Sequence, residues 1–146
     1  MNQREHILNA ALLAIGVGYV LEPSGDMITF QRIAAIFIPV VLGALFPDVD
    51  AHYGRHRKAL HNLLVLAVFL AYPLYAGNLY WVWLGVLTHY ALDVVGSKRG
   101  IALFYPVWKK EFGLPVGVAV TSDHAGVVTV AITVLEVGAV ALLVWF

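Results

Sequence analysis

The chain has 146 residues; 61% of them are apolar, 12% are charged, and the net charge is zero. Soluble domains are usually about 45–50% apolar and about 25% charged, so this composition indicates a membrane protein. The zero net charge provides no basic field for nucleic acid, and no such partner is expected. The absence of cysteine excludes disulfide bonds and thiolate metal sites.

The apolar residues are concentrated in five segments separated by short polar stretches. In chain order, these are residues 7–21, 33–46, 63–76, 79–95 and 125–146. Because a helix needs about 20 residues to cross a bilayer, the last two are the clearest spans, and the first three reach that length only with their polar ends. We predict spans near residues 6–22, 32–47, 61–77, 79–96 and 125–146. The alternative is that one or two of the first three are re-entrant or interfacial.

Turn-forming residues mark the boundaries of these segments. Residues 22–26 contain proline and glycine, Pro47 ends the second segment, and Gly77 begins a tight turn before the fourth. Asp123 is expected to cap the last helix. The sequence therefore predicts an all-α fold, a helical transmembrane bundle of about five helices that forms a single integral membrane domain over residues 1–146.

The basic residues are distributed unequally between the two faces of such a bundle. With five spans, the amino terminus and the loops at 47–62 and 96–124 share one face, which carries eight of the nine Lys and Arg residues. These eight are Arg4, Arg55, Arg57, Lys58, Lys98, Arg99, Lys109 and Lys110, whereas the opposite face has Arg32. The positive-inside rule therefore predicts that the amino terminus and both large loops are cytoplasmic.

Histidine and aspartate residues collect at the same face. They are His6, Asp48, Asp50, His56, His61, His89 and Asp93. Outside His89 and Asp93 each is unremarkable when taken alone, since loop histidines beside cations and carboxylates after a helix end are often merely solvated. Ionisable residues scattered by chance would occur at both faces, so their joint placement indicates a polar metal-site face at the cytoplasmic end of the bundle.

His89 and Asp93 give the strongest individual signal. Four residues apart in one segment, they share a helix face, and Gly85 on that face indicates close helix packing. A carboxylate inside a membrane helix costs about 2.5–3.5 kcal/mol on insertion scales, so it needs compensation. A divalent ion bound together with the imidazole would supply it. The alternative is a His–Asp hydrogen bond that only ties helices together.

Four histidines and three aspartates are more ligands than one tetrahedral ion needs. Imidazole and carboxylate suit Zn²⁺, with Mn²⁺ or Fe²⁺ as alternatives, and one or two ions are expected. A two-ion site promotes in-line displacement at phosphorus. Arg57, Lys98 and Arg99 lie in the same loops and are candidates to bind a phosphate. Topology signalling and contact with lipid headgroups explain these basic residues equally well.

Three stretches of the chain resemble the YdjM-like family of membrane-bound, metal-dependent hydrolases, which is also described as LexA-binding and inner-membrane-associated. The stretches are residues 42–50, 56–62 and 85–93. His6 resembles an early histidine of the family, and residues 100–106 resemble the segment after its last motif. The chain departs from the family pattern at Lys58, Leu60 and Asn62 but keeps the spacing between the two histidines of that motif.

The resemblance implies both a ligand set and an activity. The implied metal ligands are His6, Asp48, Asp50, His56, His61, His89 and Asp93. The implied activity is hydrolysis, and the His-x-x-x-Asp helix is similar to that of zinc-dependent phospholipase C, which suggests a phosphoester or lipid-linked substrate. Asp50 or Asp93 would orient the attacking water. A divalent metal transporter or sensor is one alternative, and a non-catalytic membrane scaffold that recruits a protein partner is another.

Two further residues stand outside the resemblance. His124 begins the fifth segment and is a candidate additional ligand. Glu136 lies in the middle of that segment, with Thr129 and Thr133 on the same helix face. We expect Glu136 to face the bundle and to make a structural hydrogen bond.

Overall fold

The computed structural model describes residues 1–53, 57–119 and 122–146 and confirms an all-α fold with five helices. They are α1 (Gln3–Leu21), α2 (Met27–Leu45), α3 (Leu63–Ala76), α4 (Val82–Val95) and α5 (Ala125–Trp145). A 3₁₀ segment, Phe46–Tyr53, continues from the end of α2. In the described part of the chain, extended pairing is limited to two isolated bridges, Ser97 with Val118 and Ile101 with Phe112.

Side-chain caps explain where the first two helices begin. Asn2 and Glu5 form a capping box at the start of α1. The Asp26 carboxylate accepts hydrogen bonds from the N–H groups of Ile28 and Thr29 at 2.8 and 3.2 Å. This cap starts α2 at Met27, earlier than the predicted boundary at residue 32, because it satisfies backbone donors that the apolar pattern does not reveal.

The Asp26 cap predicts a pH-dependent contribution to stability. The Ser24 hydroxyl, followed by the Thr29 N–H, holds the pKa of Asp26 below its usual range. The stabilisation that the ionised Asp26 cap gives the folded protein is therefore present above the unfolded-state pKa of Asp26. It is lost as the pH falls through the folded-state pKa. We expect Asp26→Ala to lower the melting temperature at about pH 7 and to have little effect at about pH 2. Thermal unfolding in detergent at each pH measures the two melting-temperature changes.

Asp26→Asn is the control for this prediction, because asparagine keeps a capping oxygen without a titrating charge. A melting-temperature difference between wild type and Asp26→Ala that stays constant with pH would contradict the assigned cause.

α4 is the central helix, since it contacts the four other helices, while α1 also packs against α2 and α5. The apolar core between α1, α2 and α4 is fully or almost fully buried. It consists of Ala10, Leu13, Ala14, Val17, Ile36, Val40, Ala44 and Leu84. Helices that are consecutive in the chain run antiparallel, so α2 and α4 run parallel to each other, and the start of α1 and the ends of α2 and α4 meet at one end of the bundle.

α2 and α4 approach each other through two glycines. A Cβ atom on Gly85 would lie 2.0 Å from the carbonyl oxygen of Val40, and one on Gly43 would lie 2.0 Å from that of Val82. Backbone atoms cannot move aside as side chains do, so these positions require glycine. The close packing predicted from Gly85 is confirmed.

In the part of the chain that the structure describes, two stretches are long and apolar enough to cross a membrane, Met27–Asp50 and Ala125–Trp145. α3 and α4 are apolar but have only 14 residues each. Spans at α1, α3 and α4, and the orientation of the bundle, therefore stay predictions.

Candidate metal centre

α4 supplies His89 and Asp93, two of the buried polar groups at the site, and the backbone of α2 orients the His89 ring. His89 Nδ1 lies 2.6 Å from the carbonyl oxygen of Ala44. Because a carbonyl oxygen only accepts hydrogen bonds, Nδ1 carries the proton and Nε2 carries the lone pair of the neutral ring. This is the usual arrangement of a metal-binding histidine, whose second nitrogen is held by an outer partner.

Four side chains place ligand atoms around the Nε2 atoms of His61 and His89, and we call them the four-ligand set. They are Asp48, His61, His89 and Asp93. The two histidine Nε2 atoms are 3.1 Å apart. Asp48 Oδ1 lies 3.8 Å from Nε2 of His61 and 3.6 Å from Nε2 of His89. Asp93 Oδ2 lies 3.7 Å from both Nε2 atoms.

These separations match atoms that share an ion better than atoms that share a proton. Hydrogen bonds from nitrogen to oxygen are usually about 2.7–3.2 Å long, shorter than the four nitrogen–oxygen distances here. Two ligands that each lie about 2.0–2.2 Å from one ion are about 3.3–3.6 Å apart at the tetrahedral angle. The donor chemistry, two imidazoles and two carboxylates, also suits a divalent ion such as Zn²⁺.

His6 lies beside this set and is buried. Its ring stacks on His89, with centroids 3.6 Å apart and an interplanar angle of 7°. Among the described residues neither ring nitrogen has a hydrogen-bond partner, and Nε2 lies 3.6 Å from Asp93 Oδ1. Buried polar atoms are nearly always satisfied, so His6 fits a ligand better than a structural residue.

The two oxygens of Asp93 face different groups. Oδ2 belongs to the four-ligand set, whereas Oδ1 faces His6, the ammonium group of Met1 and the Arg57 guanidinium, whose Nη2 is 3.9 Å away. Asp93 therefore lies between the four-ligand set and His6, and the two groups His6–His89–Asp93 and Asp48–His61–His89 could each hold a metal ion.

Arg57 is buried and fixed by the loop after α4. Its Nη1 donates to Ser97 Oγ at 3.2 Å and to the carbonyl oxygen of Arg99. Its φ of 70° is unusual for a residue other than glycine. Of the three predicted phosphate-binding residues, Arg57 therefore lies at the site. Lys98 and Arg99 are exposed, and Arg99 Nε is paired with Glu111 at 3.2 Å.

The remaining predicted residues have different positions. Asp50 is buried, its Oδ2 accepts from the Leu60 N–H at 3.2 Å, and it belongs to neither ligand group found among the described residues. His56 lies outside the described residues. His124 is exposed at the start of α5 and outside both ligand groups. The prediction that Asp123 caps α5 is wrong: Asp123 is exposed, the N-cap residue is His124, and α5 begins without a side-chain cap hydrogen bond.

Several supporting residues could not be read as functional from their sequence context. Tyr90 donates to the carbonyl oxygen of Leu60 at 2.6 Å and so holds the segment that carries His61. Its position next to His89 was the available signal. Glu136 makes the hydrogen bonds expected of it, to Asn9 and Thr88, but neither partner was predicted. Asn9 lies three residues after His6, on the same face of α1.

Comparisons with known proteins give one family. The model of the YdjM inner membrane protein family matches residues 1–146, the whole of the given chain. Searches of curated proteins and of solved structures found no match.

Proposed function

Because the chain belongs to the YdjM inner membrane protein family, we propose that it is a membrane-bound, metal-dependent hydrolase of a phosphoester or lipid-linked substrate. The observation that carries the proposal is the convergence of the four-ligand set beside a buried arginine. Asp48 lies after α2, His61 lies before α3, and His89 and Asp93 lie on α4 itself. The folded bundle is therefore needed to assemble the site.

The chain's own groups have distinct roles in this proposal. Asp48, His61, His89 and Asp93 would hold the principal ion, and His6 would join Asp93 at a second one. A bound divalent ion supplies Lewis acidity that activates water and stabilises charge at phosphorus. Asp50 or Asp93 orients the attacking water, and Arg57 binds the phosphate as a fixed cation. Zn²⁺ is the preferred ion, with Mn²⁺ or Fe²⁺ as alternatives.

The orientation of the bundle in the membrane determines the side from which the proposed substrate reaches the site. With five spans and the eight basic residues inside, the site opens at the cytoplasmic face, level with lipid headgroups. Exposed aromatic and basic residues of the loop after α4 support this placement, because Trp108 is half exposed and Lys110 lies 5.9 Å from its ring centroid. Amphipathic rings and lysines of this kind favour the headgroup region.

The direct test uses protein purified in detergent. We expect bound zinc by elemental analysis, loss of phosphodiesterase activity on bis(p-nitrophenyl) phosphate after chelation, and recovery on adding Zn²⁺ or Mn²⁺. A lipid phosphate substrate in mixed micelles tests the lipid-linked class. Protein that takes up no divalent ion and hydrolyses neither substrate would refute the proposal.

Arg57 gives a specific kinetic prediction. Arg57→Lys keeps the charge but loses the two-point hold on Ser97 and the Arg99 carbonyl group, so the KM for a phosphodiester should rise about tenfold or more. Arg99→Lys, at an exposed residue, is the matched control and should change KM little. Equal KM changes in the two variants would remove Arg57 from the substrate site.

One observation favours a second candidate, a divalent metal transporter. The helices that carry His6 and His89 also carry Asn9 and Thr88, which contact Glu136 deeper in the bundle. This polar layer extends away from the ligands. Zinc uptake into proteoliposomes, absent in His89→Ala, would favour transport over hydrolysis.

A further inference from the structure

Glu136 is the only ionisable residue of α5, and its carboxyl group joins three helices. Oε2 lies 2.9 Å from Nδ2 of Asn9 on α1. Oε1 and Oε2 each lie 2.7 Å from Oγ1 of Thr88 on α4. Thr88 Oγ1 also contacts Oδ1 of Asn9. These three residues form what we call the polar junction.

The number of protons in the polar junction determines the charge of Glu136. The two protons of Asn9 Nδ2 go to Glu136 and to Thr133 Oγ1, which is 2.9 Å away. Thr88 has one hydroxyl proton, but both Asn9 Oδ1 and the Glu136 carboxyl oxygens lie within hydrogen-bond distance of its Oγ1. If Thr88 donates to one of these two residues, its contact with the other joins two oxygens that have no proton. Both contacts are satisfied when the carboxyl group donates a proton to Thr88 and Thr88 donates its own to Asn9.

The same result follows when the Asn9 amide is rotated by 180°. Its nitrogen then donates to Thr88, and the Thr88 hydroxyl donates to one oxygen of Glu136. The Asn9 oxygen now lies 2.9 Å from Oε2 of Glu136. That contact again needs a proton from the carboxyl group, so both amide orientations require Glu136 as the neutral acid.

The surroundings of Glu136 agree with a neutral group. Its hydrogen-bond partners are an amide and a hydroxyl, and the ion pairs among the described residues involve other groups. The titratable residues nearest in sequence to its partners are His6 on α1 and His89 on α4. Thr133 faces it from α5 and donates its own hydroxyl to the carbonyl oxygen of Thr129. An ionised carboxylate among such groups inside a membrane would be costly.

We propose that Glu136 is a proton-binding site of the bundle, occupied at neutral pH, whose ligand is a proton shared with Asn9 and Thr88. This site is separate from the four-ligand set and does not depend on the hydrolase proposal. It holds together the helices that carry His6 and His89, since Asn9 lies three residues after His6 and Thr88 immediately precedes His89. Loss of the proton would place negative charge against the Thr88 and Asn9 oxygens.

Infrared spectroscopy of the purified protein in lipid tests the charge state directly. We expect a carbonyl-stretching band of a protonated carboxylic acid at about pH 7, present in the wild type and absent in Glu136→Gln. Glu111→Gln, at a carboxylate paired with Arg99, is the matched control and should leave the band in place. A wild-type band that Glu136→Gln leaves unchanged would overturn the proposal.

The pH dependence of stability gives an independent readout. A native state that holds a proton released on unfolding loses stability as the pH rises. We expect the melting temperature of the wild type to fall, relative to Glu136→Gln, between about pH 5 and about pH 9. The comparison removes the contribution of the histidines, which both proteins contain. A constant difference between the two proteins over this range would refute proton binding at Glu136, whether or not the protein binds metal.

Discussion

Replacing Gly85 by leucine should abolish stable folding of the bundle. The first atom of the new side chain would lie 2.0 Å from the Val40 carbonyl oxygen and 2.7 Å from the Ala44 amide nitrogen. Because both atoms belong to the α2 backbone, relief requires the helices to separate. Overpacking usually costs about 1–3 kcal/mol, and we expect at least the upper end here. Thermal unfolding in detergent and the yield of folded protein in size-exclusion chromatography measure the effect.

Gly138→Leu is the matched control for this substitution. Gly138 also lies within a helix, but nothing lies within 4 Å of the position its Cβ would take. We therefore expect its melting temperature to be close to that of the wild type. Equal losses in the two variants would indicate that the glycine-to-leucine change itself, and not the α2–α4 contact, limits stability. A fully stable Gly85→Leu protein would contradict the close packing of these helices.

Replacing His89 by alanine should strongly weaken metal binding. His89 belongs to both ligand groups found among the described residues, His6–His89–Asp93 and Asp48–His61–His89. Loss of an outer partner of a ligand typically lowers metal affinity about 10–100-fold, and loss of the ligand itself should exceed that. Isothermal titration of metal-free protein with Zn²⁺ gives the affinity and the stoichiometry.

Two companion variants make this result specific. His124→Ala removes an exposed histidine at the same end of the bundle and should leave zinc affinity unchanged. His6→Ala should reduce the stoichiometry from two to one if a second ion binds at His6 and Asp93, and should leave the first ion in place. The melting temperatures of the metal-free proteins identify any general unfolding. A correctly folded His89→Ala protein with wild-type affinity would refute the proposed centre.

The helices were predictable because their apolar runs and breakers are local signals. Pro47 and Gly77 mark segment ends in the sequence, and the five helices lie where the runs predicted them. The start of α2 was placed too late, since a run of apolar residues does not report a side-chain cap such as Asp26. Whether α1, α3 and α4 cross the bilayer depends on the lipid as well as on the chain, so their spans stay predictions.

The site was predictable as a collection of residues but not as a geometry. The spacing of His89 and Asp93 on one helix, together with the antiparallel order of helices, placed these residues at one end of the bundle. The Ala44 carbonyl group that fixes the His89 ring is part of the backbone and has no residue signal. Likewise, the meeting of Asn9, Thr88 and Glu136 depends on the rotation of three helices about their axes, which a sequence pattern defines only loosely.

The contact between Gly43 and Gly85 has a consequence for ion selectivity. It sets the separation of α2 and α4, and these helices also connect the Ala44 carbonyl group with the ring of His89 and position Asp48 relative to Asp93. The spacing of the proposed ligands on these two elements therefore depends on a backbone contact. Since Mn²⁺ is larger than Zn²⁺ and prefers more oxygen ligands, we expect a wider contact at these glycines to shift the preference of the proposed centre towards Mn²⁺ without changing a ligand.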